Sequence, residues 1–279
     1  MLSGVLRETY MYRAWDVYDL AYMYCCWDET TVSRGSQEIS SCLKKHLLTH
    51  LKNHKHVIAY SDACTRQNRN IKMSLMWLKL LADSDKLKII DHKFLVSGHS
   101  YLPNDRNFGT IKSFSKQRSV FVAEDWYQII QKARTKNPFR VYKMEQADFA
   151  STKQLEQVIT NRKKNDNNCS VNWWLRFKKE EPYKIFYKET LNEDVSFYVI
   201  NIMPSKKGRP PLFKSITLKK LHNNVLPVSA NKKQNMMERL QFISPVYHSV
   251  YQSLIVGDNN EDIGPLEYVE PNVVENDKV

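Results

Sequence analysis

The sequence predicts an α/β fold built on a partly parallel sheet. Three observations carry that prediction: apolar runs of strand length alternate with stretches of helical spacing, the alternation repeats over the first 150 residues, and 42% hydrophobic residues suffice for a sizeable core. At 279 residues the chain has room for one or two domains. Val17 to Trp27 is β-branched and aromatic, which predicts strand, and Asp28 to Thr31 reads as a polar turn. A helix follows over 34–52, with Ser33 as its cap and Ile39, Leu43, Leu47 and Leu51 recurring every four residues. His56 to Asp62 reads as a buried strand that ends in a carboxylate. A second helix is expected over 67–82, with Ile71, Leu75, Leu78 and Leu81 on one side, then a strand over 88–97, then a helix capped by Asn104.

Beyond Ser119 the pattern predicts a short strand at Val120 to Val122, a helix over 125–134 and a strand over 141–144. The polar, aperiodic residues 161–170 read as a linker. Strands over 171–177, 184–187 and 195–203 and a helical region over 232–254 are assigned to a smaller α+β extension. The expected organisation is therefore a core over 12–150, an extension over 171–255 and an acidic tail over 257–279 without fixed structure.

Composition excludes several classes. The chain holds only seven glycines, where this length at average usage would carry roughly 20, and their spacing contains neither G-x-G-x-x-G nor G-x-x-x-x-G-K. A Rossmann or P-loop nucleotide site is thereby ruled out. The longest apolar run, Leu20 to Trp27, is far shorter than a membrane span of about 18 residues, and charges interrupt any signal-peptide core. The expected location is intracellular, with the nucleus compatible with the charge. Cysteines 25, 26, 42, 64 and 169 form no disulfide framework and no C-x-x-C spacing, and on a strand the first two point to opposite sides. The net charge of +12 is unevenly spread. Residues 51–250 carry 36 basic against 17 acidic side chains, whereas the first fifty residues sum to −1 and those after 250 to −6.

Candidate chemistry centres on carboxylates. Asp62 ends one predicted strand, Asp105 follows the next, and Glu38 lies in the first helix. Hard divalent ions take oxygen ligands, and phosphoryl-transfer nucleases hold two of them with clustered acids. The competing reading makes these three a strand end, a first-turn acid and a surface side chain. His46, His50 and His54 recur at helical spacing but share the apolar side, which favours packing, and no zinc is expected. His92 and His99 flank the Asp105 loop, where either a phosphate or a structural hydrogen bond would suit them. Arg66, Arg69, Lys72, Arg106, Lys112, Lys116 and Arg118 cluster in sequence about the acids. They suit a nucleic-acid backbone or are solvated helix faces. Lys206, Lys207 and Arg209 lie in a K-K-G-R-P-P segment close to an AT-hook core, or else form a proline-stiffened basic turn.

Trp27-Asp28-Glu29-Thr30, the S-R-G-S-Q-E-I-S-S-C-L run from Ser33, Tyr60-Ser61-Asp62-Ala63-Cys64 with Gln67-Asn68-Arg69-Asn70, the I-D-H-K-F-L-V-S-G-H-S run from Ile90, and Pro103-Asn104-Asp105-Arg106-Asn107-Phe108-Gly109 together resemble a transposon-derived family. Val122-Ala123-Glu124-Asp125-Trp126 and Asn137-Pro138-Phe139 continue the likeness, which extends over about 15–254. That family carries a domain of unknown function, numbered 7869, and is similar to RNase H-like catalytic domains of transposases and integrases. The resemblance implies an RNase H-like mixed sheet flanked by helices, with Asp62 and Asp105 as metal-binding acids, Glu38 as a third, and DNA as partner. It also implies an N-terminal truncation that removes the first, acid-bearing strand. Where the family has two glycines after Asp-x-Cys, this chain has Thr65 and Arg66. Magnesium binding is then weak or lost, and the expected protein is nucleic-acid-binding with a vestigial nuclease or strand-transfer site. The alternative is a non-catalytic protein- or DNA-interaction module. The oligomeric state is not fixed by the sequence.

Overall fold

The computed structural model describes residues 9–16, 21–50, 53–95, 103–159, 173–204 and 210–257, with side chains omitted for 9–23 and 103–105. The chain divides into two compact units at Leu226. The larger unit is a mixed α/β structure containing two sheets.

The first sheet begins with a hairpin of β1 (Thr9–Asp16) and β2 (Ala21–Asp28), paired antiparallel from Thr9↔Asp28 to Asp16↔Ala21. This corrects the expectation of one strand over 17–27: the hairpin starts earlier, and the residues between the paired ends lie outside the described ones. β5 (Arg140–Lys143) joins β2 in parallel. Adjacent Cys25 and Cys26 face opposite sides of β2, as strand alternation requires. Cys25 packs with Trp27, Phe149 and Cys42, while Cys26 packs with Tyr24, Ile111, Ile130 and Phe139. Cys42 comes from α1 (Ser36–His50), Ile111 from α3 (Pro103–Ser115) and Ile130 from α4 (Ala123–Lys132), so helices cover both faces of this sheet.

The second sheet has five strands in the order β3 (His56–Asp62), β4 (Ile89–Leu95), β6 (Trp174–Lys178), β7 (Lys184–Lys188) and β8 (Tyr198–Asn201). β3 and β4 run parallel because α2 (Ile71–Asp83) connects them, and the remaining pairs are antiparallel. The strands expected in a separate extension from residue 171 instead continue this sheet from β4. β3 is not the fully buried strand that its apolar run suggested. It is an edge of the sheet among the described residues, with alternate side chains exposed.

α2 organises the core beneath. The Asn70 side chain caps it by accepting from the Met73 N–H at 3.0 Å, three residues later than the start expected at Gln67. Every residue from Met73 to Leu81 is buried, so the helix is enclosed rather than amphipathic. It packs with Ile90, Phe94, Leu175 and Phe177 of the sheet and with Leu155 and Phe213. Lys79 survives within this burial by pairing with Asp83 at 2.6 Å. A short helix, α5 (Lys153–Glu156), supplies Leu155.

Two further expectations change in the larger unit. Val120 to Val122 form no strand; the Asp125 carboxylate accepts from the N–H groups of Phe121 and Val122 at 2.8 and 3.0 Å, which starts α4 there. Pro103 opens α3, so Asn104 lies inside the helix rather than at its cap.

The smaller described unit pairs β9 (Val228–Ser229) in parallel with β10 (Val256–Gly257). Gly257 is required there, because a Cβ would lie 2.6 Å from the Pro227 ring. The single helical region expected over 232–254 is broken into α6 (Ala230–Glu238), two 3-10 turns and α7 (His248–Gln252). Pro245, at the start of the second turn, lacks the N–H that a continuous helix would need.

Candidate functional site

The C-terminal end of β3 carries Asp62, and its neighbourhood is built from the core outward. His92, on β4, points into the core beneath. Its Nδ1 accepts from the Trp77 indole N–H at 3.2 Å, which leaves Nε2 to donate to Ser61 Oγ at 2.9 Å. Ser61 in turn donates to the Asp62 carbonyl at 2.9 Å. The imidazole is enclosed, and burial pulls its pKa down to about 3, so it is neutral at physiological pH. His92 therefore holds the strand end from below rather than meeting a phosphate.

The Asp62 carboxylate faces solvent. Oδ1 accepts from Asn68 Nδ2 at 2.6 Å and from the Cys64 N–H at 3.2 Å, which closes the loop that follows. Oδ2 has no partner among the described residues and is the one oxygen there that Asp62 can offer. Asp105 lies in the first turn of α3, the next helix after β4, and its side chain is outside the described residues. Glu38 is not a surface side chain. It is buried at 5% exposure, and its Oε1 accepts from Ser33 Oγ at 2.6 Å at the start of its own helix. Ser33 thus binds Glu38 instead of capping the helix, whose first residue is Ser36.

Magnesium would need several oxygen ligands here. Asp62 supplies one open oxygen, Glu38 is turned toward Ser33, and no three of His, Cys, Asp and Glu stand together among the described residues. Among the described side chains, Asp62 and Glu38 do not converge as a two-ion centre.

The basic candidates divide. Arg66, Arg106, Lys112 and Lys116 are exposed, and Lys72 is half-buried. Arg69 turns inward, its guanidinium about 6 Å from the rings of Phe94 and Trp173, and acts in packing. Arg118 lies 3.4 Å over the Phe114 ring and bonds the Phe114 carbonyl. Lys206, Lys207, Arg209 and His99 lie outside the described residues. His46 and His50 stack at 4.6 Å, and His50 Nδ1 meets the His46 carbonyl at 2.9 Å, which is helix packing. Between α3 and α4 a cleft of about 260 Å³ is lined by Phe114, Arg118, Asp125 and Lys132.

Sequence reasoning missed a second cluster, on the face of the five-stranded sheet that turns away from α2 and also carries Asp62. Asp91 is 1% exposed, takes both Arg176 Nε and Nη2 at 2.7 and 2.9 Å, and meets His56 Nε2 at 2.8 Å. Burial raises its pKa, but the hydrogen bonds led by Arg176 and the guanidinium charge outweigh burial and hold the carboxyl below the usual range. Beside it, Lys93 Nζ lies 3.8 Å and Lys188 Nζ 4.6 Å from the Trp174 ring. Lys188, 2% exposed, is held by the carbonyls of Asn192 and Glu193 at 3.0 and 2.9 Å. The available signal was the run Asp91-His92-Lys93, three polar residues inside a strand with apolar neighbours.

A family model described as a domain of unknown function (DUF7869) matches residues 17–193, well over half of the chain. The chain belongs to the DUF7869 family. The match spans β2 through β7, and so includes Asp62, Asp105 and the Asp91–Arg176 pair of this DUF7869 chain. No curated protein and no solved structure matches it.

Proposed function

We propose that this DUF7869 chain is a nucleic-acid-binding protein with an RNase H-like core of transposase ancestry, in which the metal-dependent nuclease or strand-transfer centre is incomplete. The observation that carries the reading is the parallel β3–β4 pair, with Asp62 at the end of the first strand and Asp105 in the first turn of the helix after the second. The order of the described elements supports it: a hairpin, a helix, a strand, a helix, a parallel strand and a helix follow one another as they do in the RNase H-like order from its second strand onward. In this reading Glu38 is committed to Ser33, so Asp62 and Asp105 are left as too few acids for two ions. What remains is charge. Exposed Arg66, Arg106, Lys112 and Lys116 on the elements that follow the two acids suit a phosphate backbone, and DNA is the expected partner.

The test is binding of the full chain to labelled duplex DNA between about 50 and 200 mM salt, with and without EDTA. Affinity should fall linearly on logarithmic axes as salt rises and should not respond to EDTA. No binding at the lowest salt overturns the nucleic-acid reading. Nicking that requires Mg²⁺ or Mn²⁺ and disappears in Asp62→Asn overturns the loss of catalysis.

A further inference from the structure

The register of the five-stranded sheet aligns one row of side chains across four strands. Tyr60 pairs with Lys93, Lys93 with Trp174, and Trp174 with Lys188. The row alternates aromatic and cation, and every neighbouring pair is in ring contact: Lys93 Nζ is 6.0 Å from Tyr60 and 3.8 Å from Trp174, and Lys188 Nζ is 4.6 Å from Trp174. The row lies on the face opposite α2, since the alternate residues Val57, Ala59, Ile90 and Leu175 pack into the core. Segment 189–197 covers its far half. Phe197 meets Trp174 edge-on at 5.3 Å, and the Glu193 carboxylate, 80% exposed, lies 3.6 Å from Lys93 Nζ. The near half is open along β3, with Tyr60 51% and Ile58 49% exposed on the same side as Asp62, while Lys93 beside Tyr60 is 8% exposed, against Glu193.

We infer that this open half of the sheet face is a stacking platform for single-stranded nucleic acid, with Tyr60 as the residue on which a base lies and Lys93 as its phosphate partner. The inference rests on the nucleic-acid reading above and names the form of the partner. An unpaired base offers a flat π face that a duplex hides, and an exposed aromatic beside a cation on a sheet surface is suited to that face. Ile58 extends the apolar floor. The carboxylate of Glu193 occupies the position at Lys93 that a phosphate oxygen would take, and its own exposure lets it yield. A chain laid along β3 runs from exposed Lys55 at one end to exposed Arg66 beyond the other and passes Asp62. The strand thus delivers an extended, unpaired segment to the carboxylate rather than a double helix. The row of basic and aromatic side chains is fixed by register across four strands, so the platform is part of the fold, and Lys93, 8% exposed, becomes available to a phosphate as the Glu193 side chain moves aside.

The test uses the full chain, a labelled oligothymidylate and a duplex of equal length, with binding followed by fluorescence anisotropy at one salt concentration. Tyr60→Ala should weaken single-strand binding about tenfold while Tyr60→Phe retains it, because stacking needs the ring and not the hydroxyl. Duplex binding should be the same in all three proteins, and thermal unfolding should show the exposed substitution to be harmless to the fold. Unchanged oligothymidylate affinity in Tyr60→Ala, with duplex binding intact, overturns the platform and leaves the proposed function standing. Failure of the unaltered chain to bind either oligonucleotide overturns both.

Discussion

The two sheets of the larger unit spend their side chains differently. In the three-stranded sheet both faces of β2 are apolar: Cys25 and Trp27 pack toward α1, and Tyr24 and Cys26 toward α3 and α4. In the five-stranded sheet only one face is apolar. The other carries Asp91 paired with Arg176, Lys188 held by a short segment of backbone, and Trp174 with Lys93 over its ring, and then opens at Ile58 and Tyr60. A sheet covered on both faces leaves no side chain for a partner. The five-stranded sheet keeps the polar machinery, and Asp62 stands on its exposed strand.

The contrast can be broken at its strongest point first. Asp91→Ala leaves Arg176 beside an empty, buried position, and thermal unfolding should record a loss of about 3–5 kcal/mol. A loss under about 1 kcal/mol would mean that the polar face is not held by this pair. Truncation of isoleucine then compares the two sheets directly. Ile130→Ala, at the fully enclosed sheet, should cost about 2–5 kcal/mol in urea unfolding, whereas Ile58→Ala on the open strand should cost about 0.5 kcal/mol or less. Equal costs would show that β3 is covered in solution.

The pH dependence is a finer measure. His92 is neutral in the folded state, with its pKa pulled by burial from 6.5 to about 3, so the unfolded chain takes up a proton that the folded chain refuses. Its contribution is complete above 6.5 and falls by about 1.4 kcal/mol per pH unit as the pH drops toward 3. Asp91 adds in the same direction lower down: its folded pKa lies below 3.8, so its contribution is present above that value and is lost as the pH falls through the folded one. Stability measured from pH 7 to pH 4 should therefore slope in the wild type and flatten in His92→Gln. Parallel slopes in the two proteins would contradict an enclosed, uncharged imidazole.

Local chemistry was the legible part of the sequence. The limits of β3 follow from an apolar run ending in a carboxylate, and α2 from a repeat of Ile71, Leu75, Leu78 and Leu81, because both depend on neighbours a few residues away. The opposite facing of Cys25 and Cys26 follows from strand geometry alone. Pairing between distant segments was not legible. β6, remote in sequence, lies against β4 because Ile90 and Phe177 share a core, and no local pattern records that. The same holds for Asp91, whose partners come from β3 and β6, whereas at Val120 to Val122 a local competitor wins, the carboxylate of Asp125 taking the N–H groups that a strand would have paired. At the site, Asp62 was legible as a strand end, whereas the burial of Glu38 against Ser33 depends on the turn between them and could not be read from spacing.

The exposure of the thiols has a practical consequence. Among the described residues Cys25, Cys26 and Cys42 are buried and only Cys64 is exposed. Burial pushes the Cys26 and Cys42 thiols well up, which suppresses the thiolate that alkylating reagents attack. Cys64 donates its N–H to Asp62. With Cys169→Ser removing the thiol outside the described residues, a maleimide dye has a native attachment point two residues from that carboxylate. The protein carries its own reporter position for whatever approaches the end of β3.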